Sequence, residues 1–395
     1  MPYISTELNR LYAALESSFG SVPAPVPGNA FRALRSTITA VQEYLARQDK
    51  TGSRSAPGIA AGGRRHAKFE VQAYLIPSGA AGSAPNMGPF FQAACGGAPQ
   101  IFAGGTVAPG STASSVLFTA AHGLSVGQAV GSGPPSGKEL RFVVAVPSST
   151  AVTVDPPFSS APAAGSSITG TVTYPLGDTP PSLSLFEYWT PSTAQQRLMC
   201  GGSVDTMEVD VSGDFHVVKF SGLGQDVIDS ITFANGQGGG LTAFPSEPSS
   251  QSVNGSALAG HLGQVWLGAP ASRFATLSTA KLQLQNGMQM RGNEFGSTIP
   301  LAAQAGQRKV GFDFDVFQLD DAATAALYSA AMAHTPVTAF VQLGTVAGSM
   351  FGVYMSKLMP QVPANDPGQK QLVWKFSGSR AGDGTANAEI FVAFG

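Results

Sequence analysis

The five histidines are the first residues to test for metal or acid–base chemistry, and their spacing supports neither. No two of them form an HxxxH or HExxH pair, the spacing that brings two imidazoles to one zinc ion. We therefore expect surface or structural histidines and no metal site. The five are His66, His122, His216, His261 and His334.

A run of acidic residues raises the alternative of a calcium site. Asp205, Glu208, Asp210 and Asp214 lie close together, but Val and Met alternate with them as a β-strand requires. No continuous calcium-binding loop accompanies them. The pattern favours a β-hairpin.

Two glycine-rich stretches resemble phosphate loops only superficially. In SGPPSGKE at 132–139, Ser132 stands where a P-loop requires its first glycine, and Glu139 stands where the magnesium-binding Ser or Thr belongs. The stretch GQGGG at 236–240 leads into LTAFPSEP and not into a helix, which argues against a dinucleotide-binding loop. We expect no bound cofactor.

The sequence also lacks the common nucleophile motifs. It contains no GxSxG elbow, and neither Cys95 nor Cys200 has a histidine at short range. Each cysteine is followed by glycine, which is consistent with a small buried thiol. We predict that the chain is not an enzyme and has no catalytic residues. A hydrolase whose triad comes from distant residues is the remaining enzymatic alternative.

The composition indicates a surface that other protein covers. The chain has 395 residues, 43% of them hydrophobic, which is enough for two or three domains, but only 12% are charged. An average domain is about a quarter charged, so we expect copies of the chain to cover one another. The net charge of −2 provides no basic field that would bind phosphates. Because no apolar run could span a membrane and residues 1–20 lack a signal-like core, we expect cytoplasmic synthesis without membrane insertion.

Hydrophobic spacing predicts the elements of the first part of the chain. Leu8, Leu11, Tyr12, Leu15 and Phe19 have helical spacing, as does a second set from Phe31 to Leu45. The alternation of Phe69, Val71, Ala73 and Leu75 with polar residues predicts a strand over 68–76. A short helix over 86–96 follows, with Gly96 as its stop.

The composition and hydrophobic pattern of the sequence change three times further along the chain. Residues 104–175, rich in Gly, Ser, Thr and Pro, predict an inserted small β-domain. SLSLFEYW and a longer strand to Val211 then form the parent pattern with FHVVKFSG, which pairs as a hairpin across the turn 212–214. Residues 234–272 form a Gly/Ser/Pro-rich connector.

The most informative feature is an internal repeat. RHAKFEVQAYL from Arg65 aligns without a gap to RKVGFDFDVFQ from Arg308, and both faces of the strand are preserved. The helix at 86–96 then matches 320–334, SLSLFEYW matches TPVTAFVQLG, MCGGSVDTMEV matches MFGVYMSKLMP, and VVKFSG matches LVWKFSG. The order strand, helix, strand, long strand, KFSG strand therefore occurs twice, with 104–175 inserted only in the first copy.

These segments resemble the tail-tube family of long-tailed phages. FEVQAYLIPSGAAGSAPNMGPFFQAACG, KFSGLGQDVID, LQLQNGMQMR and KFSGSRAGDGTANAEIFVAFG carry the resemblance, which covers most of the chain outside 104–175 and the connector. The family implies a mainly β (α+β) fold: two tandem tail-tube β-sandwich domains, each with a flanking helix and a long hairpin. The resulting domains are 1–103 with 176–233, the inserted outer β-domain 104–175, the connector 234–272, and 273–395.

The resemblance implies a structural virion protein that stacks as rings into the tube for DNA ejection. The repeat favours homotrimeric, pseudo-hexameric rings, and a homohexamer is the alternative. Other implied partners are tail-tip, tape-measure and terminator proteins and passing double-stranded DNA that is not specifically bound. The implied location is the virion tail, with assembly in the host cytoplasm. Candidate lumen-facing acidic residues, which would repel phosphate, are Glu70, Glu208, Asp210, Asp313 and Asp315; a solvated strand face or a subunit contact is the alternative for them.

A different function class is suggested by the insert. Phe142, Phe158 and Tyr174 look exposed in the sequence. They motivate the alternative that 104–175 is a glycan- or cell-surface-binding module on the tail exterior.

Overall fold

The computed structural model describes residues 3–45, 47–55, 58, 61–211, 213–368, 370–382 and 384–395. The chain is mainly β, with 45% of residues in strands and 8% in helices. This confirms the predicted mainly-β class.

The described residues of the first half, up to residue 229, contain sixteen strands and one full helix. After a 3₁₀ turn (Thr6–Leu8), and with a second 3₁₀ turn (Pro27–Asn29) before β2, they are β1 (Arg10–Leu15), β2 (Ala30–Phe31), β3 (Arg35–Leu45), β4 (Ala61–Tyr74), α1 (Gly88–Cys95), β5 (Gln100–Phe102), β6 (Gly105–Thr106), β7 (Ser115–Leu117), β8 (Ala129–Ser132), β9 (Glu139–Ser148), β10 (Ala151–Asp155), β11 (Ser167–Ile168), β12 (Thr171–Tyr174), β13 (Leu183–Tyr188), β14 (Arg197–Val211), β15 (Val217–Gly224) and β16 (Asp226–Asp229).

The second half begins at residue 263, after the helical turn α2 (Gln237–Gly240) in the connector. Its elements are β17 (Gly263–Gly268), β18 (Ala271–Phe274), β19 (Leu277–Gln285), β20 (Gln289–Met290), β21 (Ala303–Gln304), β22 (Lys309–Phe317), α3 (Ala322–Met332), β23 (Val337–Val346), β24 (Ser349–Met359), β25 (Ala364–Asp366), β26 (Val373–Phe376), β27 (Arg380–Ala381) and β28 (Phe391–Phe394). The connector therefore ends about ten residues earlier than predicted, because β17 and the first half of β18 lie inside its predicted range of 234–272.

The two helices predicted before residue 50 are wrong. Leu11 and Ala13 of β1 are buried in the main core while Tyr12 and Ala14 are buried on the opposite face, so a strand buried on both sides produced an apolar run with accidental helical spacing. β3 also pairs along its length with β4, and Leu45 is exposed. The strand at 68–76 and the helix at 86–96 are confirmed, and Gly96 ends α1 in the left-handed region at φ 93°.

The same pattern of strand pairing occurs in both halves. In the first, β1 pairs with β2 and β13, β13 with β14, β14 with β15 and β16, and β4 with β15 and β3. In the second, β17 pairs with β18 and β23, β23 with β24, β24 with β28, and β22 with β26 and β19. β25, paired to β26, occupies the place of the end of β14.

The strand pairings correct one part of the alignment between the two copies of the repeat. A row of paired residues crosses each half: Tyr12–Phe186–Leu198–Ile228 and Trp266–Phe340–Tyr354–Phe391. The two rows correspond because Leu198 and Tyr354 lie the same distance along the chain, 21 residues, before the lysines of the KFSG match, Lys219 and Lys375. Leu198 therefore corresponds to Tyr354, so Met199 matches Met355 and not Met350. The sequence alone matched Met199 to Met350 because it treated the counterpart of β14 as one unbroken strand. In the structure that counterpart is interrupted: β24 ends at Met359, and β25 begins at Ala364.

Within the 20-stranded sheet of the described chain, eight strands form one continuous antiparallel layer that runs through both halves. Its order is β3–β4–β15–β14–β19–β22–β26–β25, and the β14–β19 pairing joins the halves. We call it the front sheet. One of its faces packs on the remaining, back strands around a shared apolar core. Its other face is solvated.

Helix α1 fixes one half against the other. The ring of Phe91 lies 5.2 Å from that of Phe220 in the first half, and 6.1 Å and 5.0 Å from those of Phe351 and Phe394 in the second. Asn286 on the loop after β19 donates a hydrogen bond to the Ala94 carbonyl oxygen (2.9 Å) at the end of the helix. Aromatic packing and a helix-end hydrogen bond thus reinforce the strand junction.

The back strands are covered on their far side by different segments in the two halves. In the first half the connector packs on Tyr12, Phe186, Leu198 and Ile228. In the second half the cover is a separate four-stranded sheet, β7–β10–β9–β8, with a hydrophobic cluster of its own. Leu140 and Phe142 of that sheet belong to one cluster with Phe340 and Tyr354.

A buried arginine fixes the four-stranded sheet to the second half. The Arg141 guanidinium is fully buried and lies 5.2 Å from the rings of both Trp266 and Phe340. Burial lowers the pKa of Arg141 to about 10, against the opposing charge of Glu139. The residue is still protonated at neutral pH, so its charge is held by ring faces, two backbone carbonyls and Glu139.

Replacing Phe91 by alanine tests the coupling of the halves. We expect Phe91→Ala to lower the free energy of unfolding by about 3–5 kcal/mol, because a fully buried ring leaves a cavity among four aromatic neighbours. Phe295→Ala is the matched control, since Phe295 is fully exposed and its loss should change stability by less than about 0.5 kcal/mol. Denaturant unfolding of both variants makes the comparison; equal effects would contradict this account of α1.

Candidate assembly surface

The solvated face of the front sheet collects all five predicted acidic residues. They come from three strands: Glu70 from β4, Glu208 and Asp210 from β14, and Asp313 and Asp315 from β22. Each is partly exposed, and each alternates with a buried apolar neighbour. The sequence alternation predicted a polar strand face for Glu70, Asp313 and Asp315; the pairing of the strands brings these faces and those of Glu208 and Asp210 to the same side of the sheet.

Lysines on the neighbouring strands interleave with these acids. Lys219 lies 3.5 Å from Glu70, Lys281 lies 3.0 Å from Glu208, and Lys375 lies 2.7 Å from Asp366. The hydrogen bond from Lys375 lowers the pKa of Asp366. Two of the five acids, Glu70 and Glu208, thus have a lysine partner, so the face is not purely acidic. The sequence could not show this, because the lysines come from neighbouring strands that are distant in the chain.

The junction between the halves has a defined register. Glu208 pairs with Gln283, Val209 with Leu282, and Asp210 with Lys281. Gln283 donates a hydrogen bond of 2.9 Å to Glu208, which also accepts from Lys281. Apolar pairs on the core face and polar pairs on the solvated face together specify this alignment.

The two outer edges of the front sheet are the counterparts of that junction. Lys219 and Lys375 correspond in the KFSG match. Lys219 pairs with Glu208 and Lys375 pairs with Ala364, so Ala364 occupies the place of Glu208. Phe69 and Phe312 correspond in the same way. Phe69 pairs with Ile38 and Phe312 pairs with Leu282, so Ile38 occupies the place of Leu282. β25 is therefore an edge like β14, and β3 an edge like β19. In the described residues β25 pairs only with β26, and β3 only with β4.

A cleft opens beside the β3 edge. It has a volume of about 640 Å³ and lies between the start of β1, the residues around β3, and the side chains of Glu187, Trp189 and Arg197. Burial raises the pKa of Glu187, and Arg197, 3.5 Å away, opposes that shift. The cleft at the corresponding place in the second half includes Val211 and Gly213 from the tip of the β14–β15 hairpin. Sequence reasoning missed Glu187 because the sequence of a single strand does not show which of its carboxylates the neighbouring strands bury.

A buried carboxylate elsewhere has a structural role. Glu16 accepts hydrogen bonds from the backbone nitrogens of Gly20 and Gly201 and from the hydroxyls of Ser182 and Ser184, at 2.6–2.8 Å. Four donors satisfy both oxygens, so Glu16 ties loops together.

The histidines and cysteines singled out in the sequence all lie in the described part of the chain. No group of three His, Cys, Asp or Glu residues there is close enough to hold a metal ion. Cys95 and Cys200 are buried as expected, and burial raises the pKa of each thiol to about 12. No helix among the described residues is long and apolar enough to cross a membrane.

The aromatic residues that motivated a glycan-binding insert are buried, contrary to the sequence expectation. Phe142, Phe158 and Tyr174 expose 0%, 4% and 1% of their surface. Phe142 packs against the second half, Phe158 fills the core of the four-stranded sheet, and Tyr174 belongs to the main core. None is available to stack on a sugar.

No protein-family model matches the chain, and no curated protein shows significant similarity to it.

His216, at the base of the β14–β15 hairpin, predicts how stability depends on pH. Its imidazole is fully buried, and burial lowers its pKa to about 4 from about 6.5 in the unfolded chain. Between these values only the unfolded state takes up the proton. The free energy of unfolding should therefore fall as pH decreases from about 6.5 to about 4, by up to about 1.4 kcal/mol per pH unit.

Two leucine variants isolate that contribution. His216→Leu removes the titrating group and should flatten this part of the pH profile, whereas His261→Leu, at an exposed position, should leave it unchanged. Urea unfolding at half-unit pH steps measures the slopes. An unchanged slope in His216→Leu would contradict the assignment.

Proposed function

We propose that this chain is a structural subunit of a phage tail tube, in which three copies close into a ring and the rings stack into a conduit for DNA. The observation that carries the proposal is the front sheet, whose two open edges correspond to the two strands that already pair inside the chain. Each half is then one tail-tube β-sandwich domain, the first 1–103 with 176–233 and the second 263–395, which extends the predicted range of 273–395 to include β17 and all of β18. The β14–β19 junction is the domain contact that recurs between chains.

The strand count gives such a ring a usable bore. Three copies of an eight-stranded sheet make 3 × 8 = 24 strands. At about 4.8 Å per strand the circumference is about 115 Å, so opposite backbones lie at least about 35 Å apart. That leaves room for a DNA duplex after the side chains are subtracted.

The two faces of the front sheet suit a lumen on one side only. The solvated face carries alternating acids and lysines, including the pairs at Glu70 and Glu208. Phosphates would meet neither the continuous basic surface that binds DNA nor a purely repulsive one. The four-stranded insert lies beyond the back strands, on the opposite side of the core, so it would decorate the exterior and leave the bore open.

Closing the ring would also remove open strand edges, which favour aggregation. Open edges invite uncontrolled pairing with other chains, and β3 spans eleven residues. A cyclic arrangement pairs every edge with a defined partner. Tail-tip, tape-measure and terminator proteins at the ends of the tube, and a location in the virion tail after assembly in the host cytoplasm, follow from the same proposal.

A disulfide across the new edge tests the ring. The transferred register pairs Ala364 of one chain with Thr39 of the next, as Glu208 pairs with Gln283. Within one chain these two residues lie on opposite edges of eight strands, about 34 Å apart, too far for a disulfide. The two native cysteines are buried.

We expect Thr39→Cys/Ala364→Cys to form, on oxidation, covalent species that end at a closed trimer in non-reducing electrophoresis. The control Val41→Cys/Ala364→Cys is shifted along the same face of β3 and should cross-link much less. Monomer alone in both variants, under conditions in which the wild type assembles, would contradict the ring.

A further inference from the structure

The segment before β1 exposes apolar side chains. Tyr3 is fully exposed, and Ile4 and Leu8 each expose 51% of their surface. The same segment borders the cleft beside the β3 edge through Thr6 and Glu7. Apolar residues gathered beside an open strand edge suggest a contact with another chain.

The corresponding segment of the second half is docked. Because Tyr12 and Trp266 correspond, residues 4–8 correspond to 258–262. Leu258 is 5% exposed and lies in the main core, and Ala259 forms a bridge with Phe215. The segment lies across the base of the β14–β15 hairpin: Leu258 donates to the Leu75 carbonyl oxygen (3.1 Å), and Gly260 donates to that of Asp214 (2.5 Å).

The β25–β26 hairpin offers the same receiving geometry. Leu75 donates a backbone hydrogen bond of 2.9 Å to His216, and the corresponding Gln318 donates one of 2.9 Å to Leu372. Leu372 and the neighbouring Leu319 expose 39% and 48% of their surface. One chain therefore has an apolar segment, residues 3–8, beside the β3 edge of the front sheet. It has an apolar surface that could receive such a segment, formed by Leu319 and Leu372, beside the β25 edge.

We propose that residues 3–8 of each chain dock on the base of the β25–β26 hairpin of the adjacent copy, with Ile4 in the place that Leu258 takes within the chain. The inference rests on the proposed ring, and it adds that the edge contact is secured by this segment. The transferred pairing sets Ser5 opposite Gln371 of the neighbour, as Ala259 lies opposite Phe215. Ile4 then lies against Leu372 of the neighbour.

Two equally exposed residues provide a matched test. Ile4→Asp would bury a charge in the contact and should raise the protein concentration needed for assembly by at least about tenfold. Leu8→Asp should change it little, because the corresponding Leu262 remains 39% exposed. Sedimentation of assembled material over a concentration series, at matched monomer stability, measures both. Equal effects of the two substitutions would overturn the inference.

A second cysteine pair separates this inference from the ring itself. Ser5→Cys/Gln371→Cys should give an intermolecular disulfide, and each single variant should give none beyond background. If Thr39→Cys/Ala364→Cys cross-links while Ser5→Cys/Gln371→Cys does not, the ring stands and the docked segment is wrong. If neither pair cross-links, both proposals are wrong.

Discussion

Everything in this architecture depends on the pairing of β14 with β19. Six consecutive residue pairs there convert two four-stranded units into one sheet. The apolar alternation of β14 and β19 fixes which residues meet, because a shift by one residue would turn buried leucines to solvent. α1 and the 258–262 segment then brace the junction from the core side and from the hairpin base. A single chain thus contains one complete example of the contact that we propose between the outer strands of neighbouring chains.

That internal example explains why two otherwise unrelated features occur together. The edge strands β3 and β25 are free within the described chain, while the far sides of the back strands are thoroughly covered by the connector and the insert. A protein that functioned alone would be expected to protect its edges too. Covered back strands and open lateral edges are what the proposed ring requires, and the low charge content is consistent with that proposal.

The sequence predicted the repeated order of elements and the two-faced strands, because period-two alternation survives wherever one face meets water. It failed at β1, whose two faces are both buried, and at β3, where chance spacing imitated a helix. It also could not show that Phe142 and Tyr174 are buried, since burial there comes from strands far away in the chain. Glu70 and Asp313 could be placed on a polar face from sequence, but their lysine neighbours depended on pairing between distant strands. The complementary edges become visible only when the ladders of both halves are compared.

Electron microscopy of the purified protein at high concentration, with rotational averaging of end-on particles, tests the central claim most directly. The account predicts hollow rings with threefold symmetry and six similar inner lobes, with three outer projections from the insert. Rings of six whole chains, or particles that remain monomeric even when a tail-tip assembly is supplied as a nucleus, would contradict it.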